Sequence, residues 1–210
     1  MINYTMVIPT MWKSKIIDQL LDECIKSKLI TEIILIDNNH KIKKPIPNNN
    51  KIHYINKNEN LYVNPSWNLG VEVSKNENII FCNDDVCITN IDNVLKEISN
   101  KNYDLFGFDI HNSNKNKIVV FTELKEETKR PNGFGTFFIV KKHKYIKIPD
   151  GIKIWYGDDI QFYGIKNKCM FNVPSVIFEM SKTVKSDPNF KKVIDTMDRP
   201  NYNLYLKNIK

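Results

Sequence analysis

The chain has 210 residues, 41% hydrophobic and 26% charged, which suits one large globular domain or one domain with a small extension. That balance excludes a disordered or fibrous protein. The net charge of +7 does not point to nucleic acid: only Arg130 and Arg199 are arginines, and the lysines are spread along the chain.

With 28 asparagines beside 29 lysines, the basic excess looks like AT-rich codon usage rather than a basic patch, and no nucleic-acid partner is expected. Cys24, Cys82, Cys87 and Cys169 form no C-x-x-C pair and no zinc spacing. Cys82 and Cys87 lie in apolar runs and read as small buried hydrophobes, so a reducing compartment is expected. "MINYTMVIPT" lacks the pattern of a signal peptide, and no apolar stretch approaches the roughly 18 residues that span a membrane. A cytoplasmic location and no membrane span are the expectation.

In chain order, "YTMVIP" reads as a first parallel strand ending at Pro9. An amphipathic helix follows, with Ile16, Ile17, Leu20, Leu21, Cys24 and Ile25 on one face. "EIILID" is a second, fully apolar strand and "KIHYI" a short third one. "NPSWNLGVEVSK" reads as a helix with Asn64 or Ser66 as its cap and Pro65 near the first turn. "NIIFC" is a fourth strand. Alternating strands and helices imply right-handed crossovers and a mostly parallel sheet flanked by helices. Beyond residue 100, "YDLFGFDI", "KIVVF" and "GTFFIVKK" are strand-like, "DDIQFYGIKN" is helical, and "MFNVPSVIFE" gives one or two closing strands. The expected organisation is one domain over 1–180, with 181–210 a C-terminal extension packing on it as a loose helix.

Three strands end in polar residues where an open parallel sheet binds ligands: Pro9-Thr10, Asp37-Asn38-Asn39 and Asn83-Asp84-Asp85. No G-x-G-x-x-G and no P-loop supplies a phosphate cradle. A divalent cation held by Asp85 would neutralise a diphosphate instead. Mg²⁺ and Mn²⁺ take few protein carboxylates and complete their shells with water and phosphate oxygens. The competing reading makes Asp84 or Asp85 an ordinary turn cap.

"VIPTMW", "EIILIDNN", "NPSWNLGVEVSKNENIIFCNDDV", "GFGTFFIVKK" and "WYGDDIQF" occur in an order and spacing that resembles the family 2 glycosyltransferases of GT-A fold, over about residues 4 to 180. The resemblance implies that Pro9, Thr10 and Asp37 hold a nucleotide base, and that Asn64, Trp67, Asn68 and Gly70 face the nucleotide. It matches the D-x-D block to Asn83-Asp84-Asp85, with Asp85 the metal ligand and Asn83 in place of the usual first Asp. It matches the E-D block to Asp158-Asp159, with Asp159 the catalytic base. Many relatives carry a further metal-binding His after the last core strand; here the stretch is "VIFEMSKT", where Glu179 is a candidate oxygen ligand or an ordinary surface acid. Trp155, with Gly157 two residues on, is the candidate acceptor contact.

The expected activity is an inverting transfer of a sugar from a nucleotide-diphosphate donor to an acceptor hydroxyl, with Mn²⁺ or Mg²⁺ at the diphosphate. The acceptor could be a glycan, a protein or a lipid-linked molecule. Two alternatives are a catalytically impaired sugar- or nucleotide-binding module and a sugar nucleotidyltransferase. The latter normally carries a Gly/Arg/Lys-rich loop after its first strand, and "PTMWKSK" has no glycine.

Overall fold

The structure, a computed structural model, describes residues 2–39, 41–125, 127–179 and 188–208. β1 (Tyr4–Thr10), α1 (Ile17–Lys26), β2 (Ile30–Asp37), β3 (Ile52–Asn56), α2 (Val63–Val73) and β4 (Asn78–Cys82) form the alternating first half. β1 pairs in parallel with β2 on one side and β4 on the other, and β2 pairs in parallel with β3. Every residue of β1 is buried. A strand covered by helices on both faces has no solvent side, which is why its sequence is apolar without alternation.

The apolar run resumes after the acidic pair as β5 (Val86–Ile88) and leads into α3 (Ile91–Ser99). α3 adds to the elements expected from the sequence: Ile91, Val94, Leu95 and Ile98 make a buried stripe at helical spacing. β6 (Leu105–Phe108), β7 (Val120–Glu123), β8 (Phe137–Lys141), α4 (Gly157–Gly164), β9 (Lys168–Asn172) and β10 (Val176–Phe178) follow. "MFNVPSVIFE" thus contributes to two strands, and β10 leaves the main sheet to pair antiparallel with β5. The large sheet has eight strands in the order β3-β2-β1-β4-β8-β6-β9-β7. β8 runs antiparallel to both β4 and β6, and β7 runs antiparallel to β9.

The chain leaves β1 toward β2 and β3, then returns across the sheet to β4. The carboxyl ends of β1 and β4 therefore lie side by side where the strand order reverses, and a crevice opens beyond them. One face of the sheet packs against α1 and α3. The other packs against α2, α4 and the tail, which comprises α5 (Pro188–Val193), a π-helical turn (Ile194–Asp198) and α6 (Arg199–Asn208). Residues 181–187 of the expected extension, and residue 180 before them, lie outside the described residues.

Candidate functional site

A cleft of about 1000 Å³ lies beyond the carboxyl ends of β1 and β4. Pro9, Thr10, Trp67, Asn83, Asp84, Trp155, Asp158, Asp159 and Glu179 line it, so residues up to 170 positions apart in sequence meet on one surface. Asp37, Asn64, Asn68, Asp85 and Gly157 do not line it.

The β1 end is tied directly to the acidic pair. The Thr10 hydroxyl donates to Asp84 Oδ2 at 2.6 Å, and the Trp12 N–H donates to Thr10 Oγ1 at 2.9 Å. Burial pushes the Asp84 carboxyl up to about 6; the Thr10 hydrogen bond opposes this, and the neighbouring Asp85 charge adds to it. A cation bound beside it would oppose that rise and favour the ionised form further. Asp85 is 8% exposed, and its backbone carbonyl accepts the Glu179 N–H at 2.9 Å. Glu179 Oε2 in turn accepts from the Ser14 hydroxyl at 3.1 Å and the Lys15 N–H at 2.9 Å. Among the described residues no group of three His, Cys, Asp or Glu side chains is placed to cage a metal. The donor set still fits Mg²⁺ or Mn²⁺, which need only one or two carboxylates when diphosphate and water complete the shell.

At the end of β2, Asp37 is used inside the fold. It accepts from the Tyr54 hydroxyl at 2.6 Å and the Asn39 N–H at 2.7 Å, joining the ends of β2 and β3. Its neighbour Asn38 lines the cleft instead, with Oδ1 accepting the Leu61 N–H at 3.1 Å and the side-chain amide donating to Ser66 Oγ at 3.1 Å.

The cap position of α2 falls two to four residues before its expected caps, Asn64 and Ser66, both of which lie inside the helix. Tyr62, at φ 67°, precedes the first helical residue, and no side chain caps the helix. Ser66 donates to the Tyr62 carbonyl at 2.6 Å, and Asn64 donates to the Trp155 carbonyl at 2.9 Å. Asn68 is also internal: its amide donates to the Ile148 carbonyl at 2.8 Å, and its oxygen accepts the Tyr145 hydroxyl at 2.9 Å. Trp67 reaches the cleft while its ring packs on Phe81 and Phe138, with centroids 5.4 and 5.1 Å away. A Cβ on Gly70 would lie 2.5 Å from Val7 Cγ1, so the glycine lets α2 sit close on β1.

α4 opens with the second acidic pair. Tyr156, at φ 66°, turns the chain into the helix, and neither Asp158 nor Asp159 caps it. Both carboxylates belong to the first turn and pair with Arg130: Nη1 lies 3.0 Å from Asp158 Oδ2, and Nε lies 2.6 Å from Asp159 Oδ1. Burial pushes the Asp158 carboxyl up, and the Arg130 guanidinium pulls it part of the way back. A Cβ on Gly135 would sit 2.5 Å from Asp158 Oδ2, so that position must stay bare for the carboxylate to fit.

Sequence reasoning missed Arg130, in a loop without a recognisable motif. One signal was present: it is one of two arginines in a chain with 29 lysines. A rigid planar fork suits two adjacent carboxylates in a way that an ammonium does not. Trp155 is 44% exposed and stands on the cleft wall beside this group.

A family model described as "Glycosyl transferase family 2" matches residues 5–153, which takes in β1 to β8 but stops before Trp155 and the α4 carboxylates. Among solved structures, S. aureus TarS 1–349 superposes with a TM-score of 0.61 at 13% identity, covering 82% of this chain and 60% of that one. TarS 1–349 in complex with UDP-GlcNAc gives 0.57 at 13% identity, covering 92% and 64%. The chain thus spans about 60% of the length of those structures, and the likeness is one of fold. No curated protein matches the sequence.

Proposed function

Because the chain belongs to glycosyl transferase family 2, we propose that it moves a sugar from a nucleotide-diphosphate donor to an acceptor hydroxyl, with inversion at the anomeric carbon. One observation carries the reading. Asp84, at the end of the fourth strand, and the Asp158-Asp159 pair, at the start of α4, face the same cleft beyond the switch point of the sheet. One acidic group is needed where diphosphate charge develops, and another where the acceptor loses its proton.

Asp84, with Asp85 and Glu179 behind and beside it, would hold Mg²⁺ or Mn²⁺. When bound, such an ion offsets the negative charge that collects on the departing diphosphate. Thr10, hydrogen-bonded to Asp84, fixes that carboxylate's orientation. On the other wall, Asp159 acts as the base. The acceptor oxygen attacks the anomeric carbon as the bond to the diphosphate oxygen breaks, and the hydroxyl proton passes to the Asp159 carboxylate. Arg130 holds Asp159 through Oδ1, orienting the group before the acceptor arrives. Trp155 offers an exposed aromatic face for a sugar ring.

The TarS complexes with UDP and UDP-GlcNAc make uridine donors the first to test. A panel of nucleotide sugars with and without Mn²⁺, read by thermal shift, is the test. A donor at a hundred times its Kd should stabilise the fold by about 2.7 kcal/mol. No shift with any nucleotide sugar in the presence of Mn²⁺ would sink the reading. A binding module without transfer is the second reading, favoured by the engagement of both α4 carboxylates by one arginine. Metal-dependent hydrolysis of the donor without an acceptor decides against it.

A further inference from the structure

Asp198 lies in the π-helical turn of the C-terminal tail, far in sequence from every strand end, and is completely buried. Its carboxylate accepts three consecutive backbone N–H groups. Oδ1 takes Lys153 at 2.6 Å, and Oδ2 takes Ile154 at 2.9 Å and Trp155 at 2.8 Å. The opposite edge of the same short stretch is held by Asn64, whose side chain donates to the Trp155 carbonyl at 2.9 Å and whose N–H donates to the Lys153 carbonyl at 3.0 Å. Two residues from different ends of the chain thus grip residues 153–155 from both sides, immediately before the Tyr156 turn and the Asp158-Asp159 pair.

The same tail touches the cleft at two more points. Tyr202 stacks on Tyr156 with ring centroids 4.4 Å apart and planes 9° from parallel. Phe190 lines the cleft and meets Tyr62 edge-on at 6.0 Å. A buried carboxylate facing three amides is satisfied only while those amides stay together, so it penalises any movement of the wall.

We propose that Asp198 is a positioning residue that sets the Trp155–Asp159 wall of the cleft, so that the C-terminal tail completes the transfer site rather than merely extending the domain. This rests on the transferase reading above. Asp198 does not reach the reacting atoms; it acts through the backbone that carries Trp155 and leads to Asp159.

The test compares Asp198→Asn in the full chain with Val94→Ala, a buried change in α3 on the other face of the sheet, at matched loss of Tm. Asp198→Asn places an amide where carboxylate oxygens now accept N–H groups. Its expected signature is at least tenfold faster hydrogen exchange at the amides of 153–155. It should also lower kcat at least tenfold with the donor found in the panel, with UDP affinity within about threefold of wild type. Val94→Ala should leave both readouts unchanged. Should Asp198→Asn not fold, Tyr202→Ala keeps Asp198 and should shift kcat against UDP affinity in the same direction. Exchange at 153–155 no faster than in Val94→Ala, or a kcat that tracks that control, overturns the proposal. Absence of turnover by the wild-type chain would count against the transferase reading alone, and the exchange result would still decide the role of Asp198.

Discussion

Asn64 and Gly157 are fitted to each other. A Cβ at position 157 would lie 2.1 Å from Asn64 Oδ1, an oxygen that is buried without a hydrogen-bond partner among the described residues. The glycine is what lets the start of α2 approach the start of α4.

Gly157→Ala should therefore push Asn64 and the α4 turn apart. Overpacking of a filled site typically costs about 1–3 kcal/mol, readable by urea denaturation. Asn64→Ala in the same background should recover part of that loss, because it removes the colliding oxygen. Purely additive effects of the two changes would mean that the contact is not what couples them.

The Arg130 fork should matter more than its charge. Arg130→Lys keeps the cation but loses the two-point hold on Asp158 and Asp159, and transfer should fall by one to two orders of magnitude. Arg130→Ala goes further. Burial already pushes the Asp158 carboxyl up, and Arg130 is the largest of the effects that oppose it. Without the guanidinium, whatever part of the rate profile depends on ionised Asp158 should move to higher pH. A profile that stays put, or moves down, contradicts the pairing seen here.

Asp159→Asn keeps the shape of the side chain but not its basicity, so transfer should drop by about 10²- to 10⁴-fold while donor affinity is nearly unchanged. Asp158→Asn should reduce the rate less. The reverse order would move the base to Asp158, and normal turnover in both would end this reading of the pair.

Mn²⁺-enhanced binding of UDP should depend most on Asp84, the member of the pair that lines the cleft. Calorimetry on Asp84→Asn and Asp85→Asn separates the two. Loss of the metal effect in Asp85→Asn alone would return the ligand to the position expected from the sequence. Retention in both variants would remove the cation from this site.

Asp92 gives a stability prediction away from the cleft. It opposes burial by accepting from the Ser27 hydroxyl, and from the Lys28 N–H at 2.9 Å and the Leu29 N–H at 3.4 Å, and its carboxyl lies below the usual range. A depressed folded-state value means that its contribution is present above the unfolded value of about 3.9 and fades as pH falls through the folded one. Asp92→Asn should thus be less stable than wild type at neutral pH, by no more than about 1 kcal/mol once solvent screening of this partly exposed group is allowed for. The gap should close in acid; a constant gap would show that charge plays no part.

Strand identity and strand ends were legible in the sequence because local pattern determines them. Apolar runs without alternation, such as "EIILID", mark a strand buried on both faces, and the polar residues that stop them mark the rim where a ligand sits. The family blocks and the Asp158-Asp159 pair were legible for the same reason: each is a contiguous string. Which side chain of a polar strand end turns to the cleft is a different matter. Asp84 rather than Asp85, and Asn38 rather than Asp37, face it because neighbouring strands offer Thr10, Tyr54 and the loops above them as partners. Arg130, Asn64 and Asp198 acquire their places only through partners 28 to 91 residues away, and no periodicity or spacing encodes that. Sequence alone determined most of the elements and the chemistry available at their ends; the tertiary structure decided which carboxylates meet, and what holds them there.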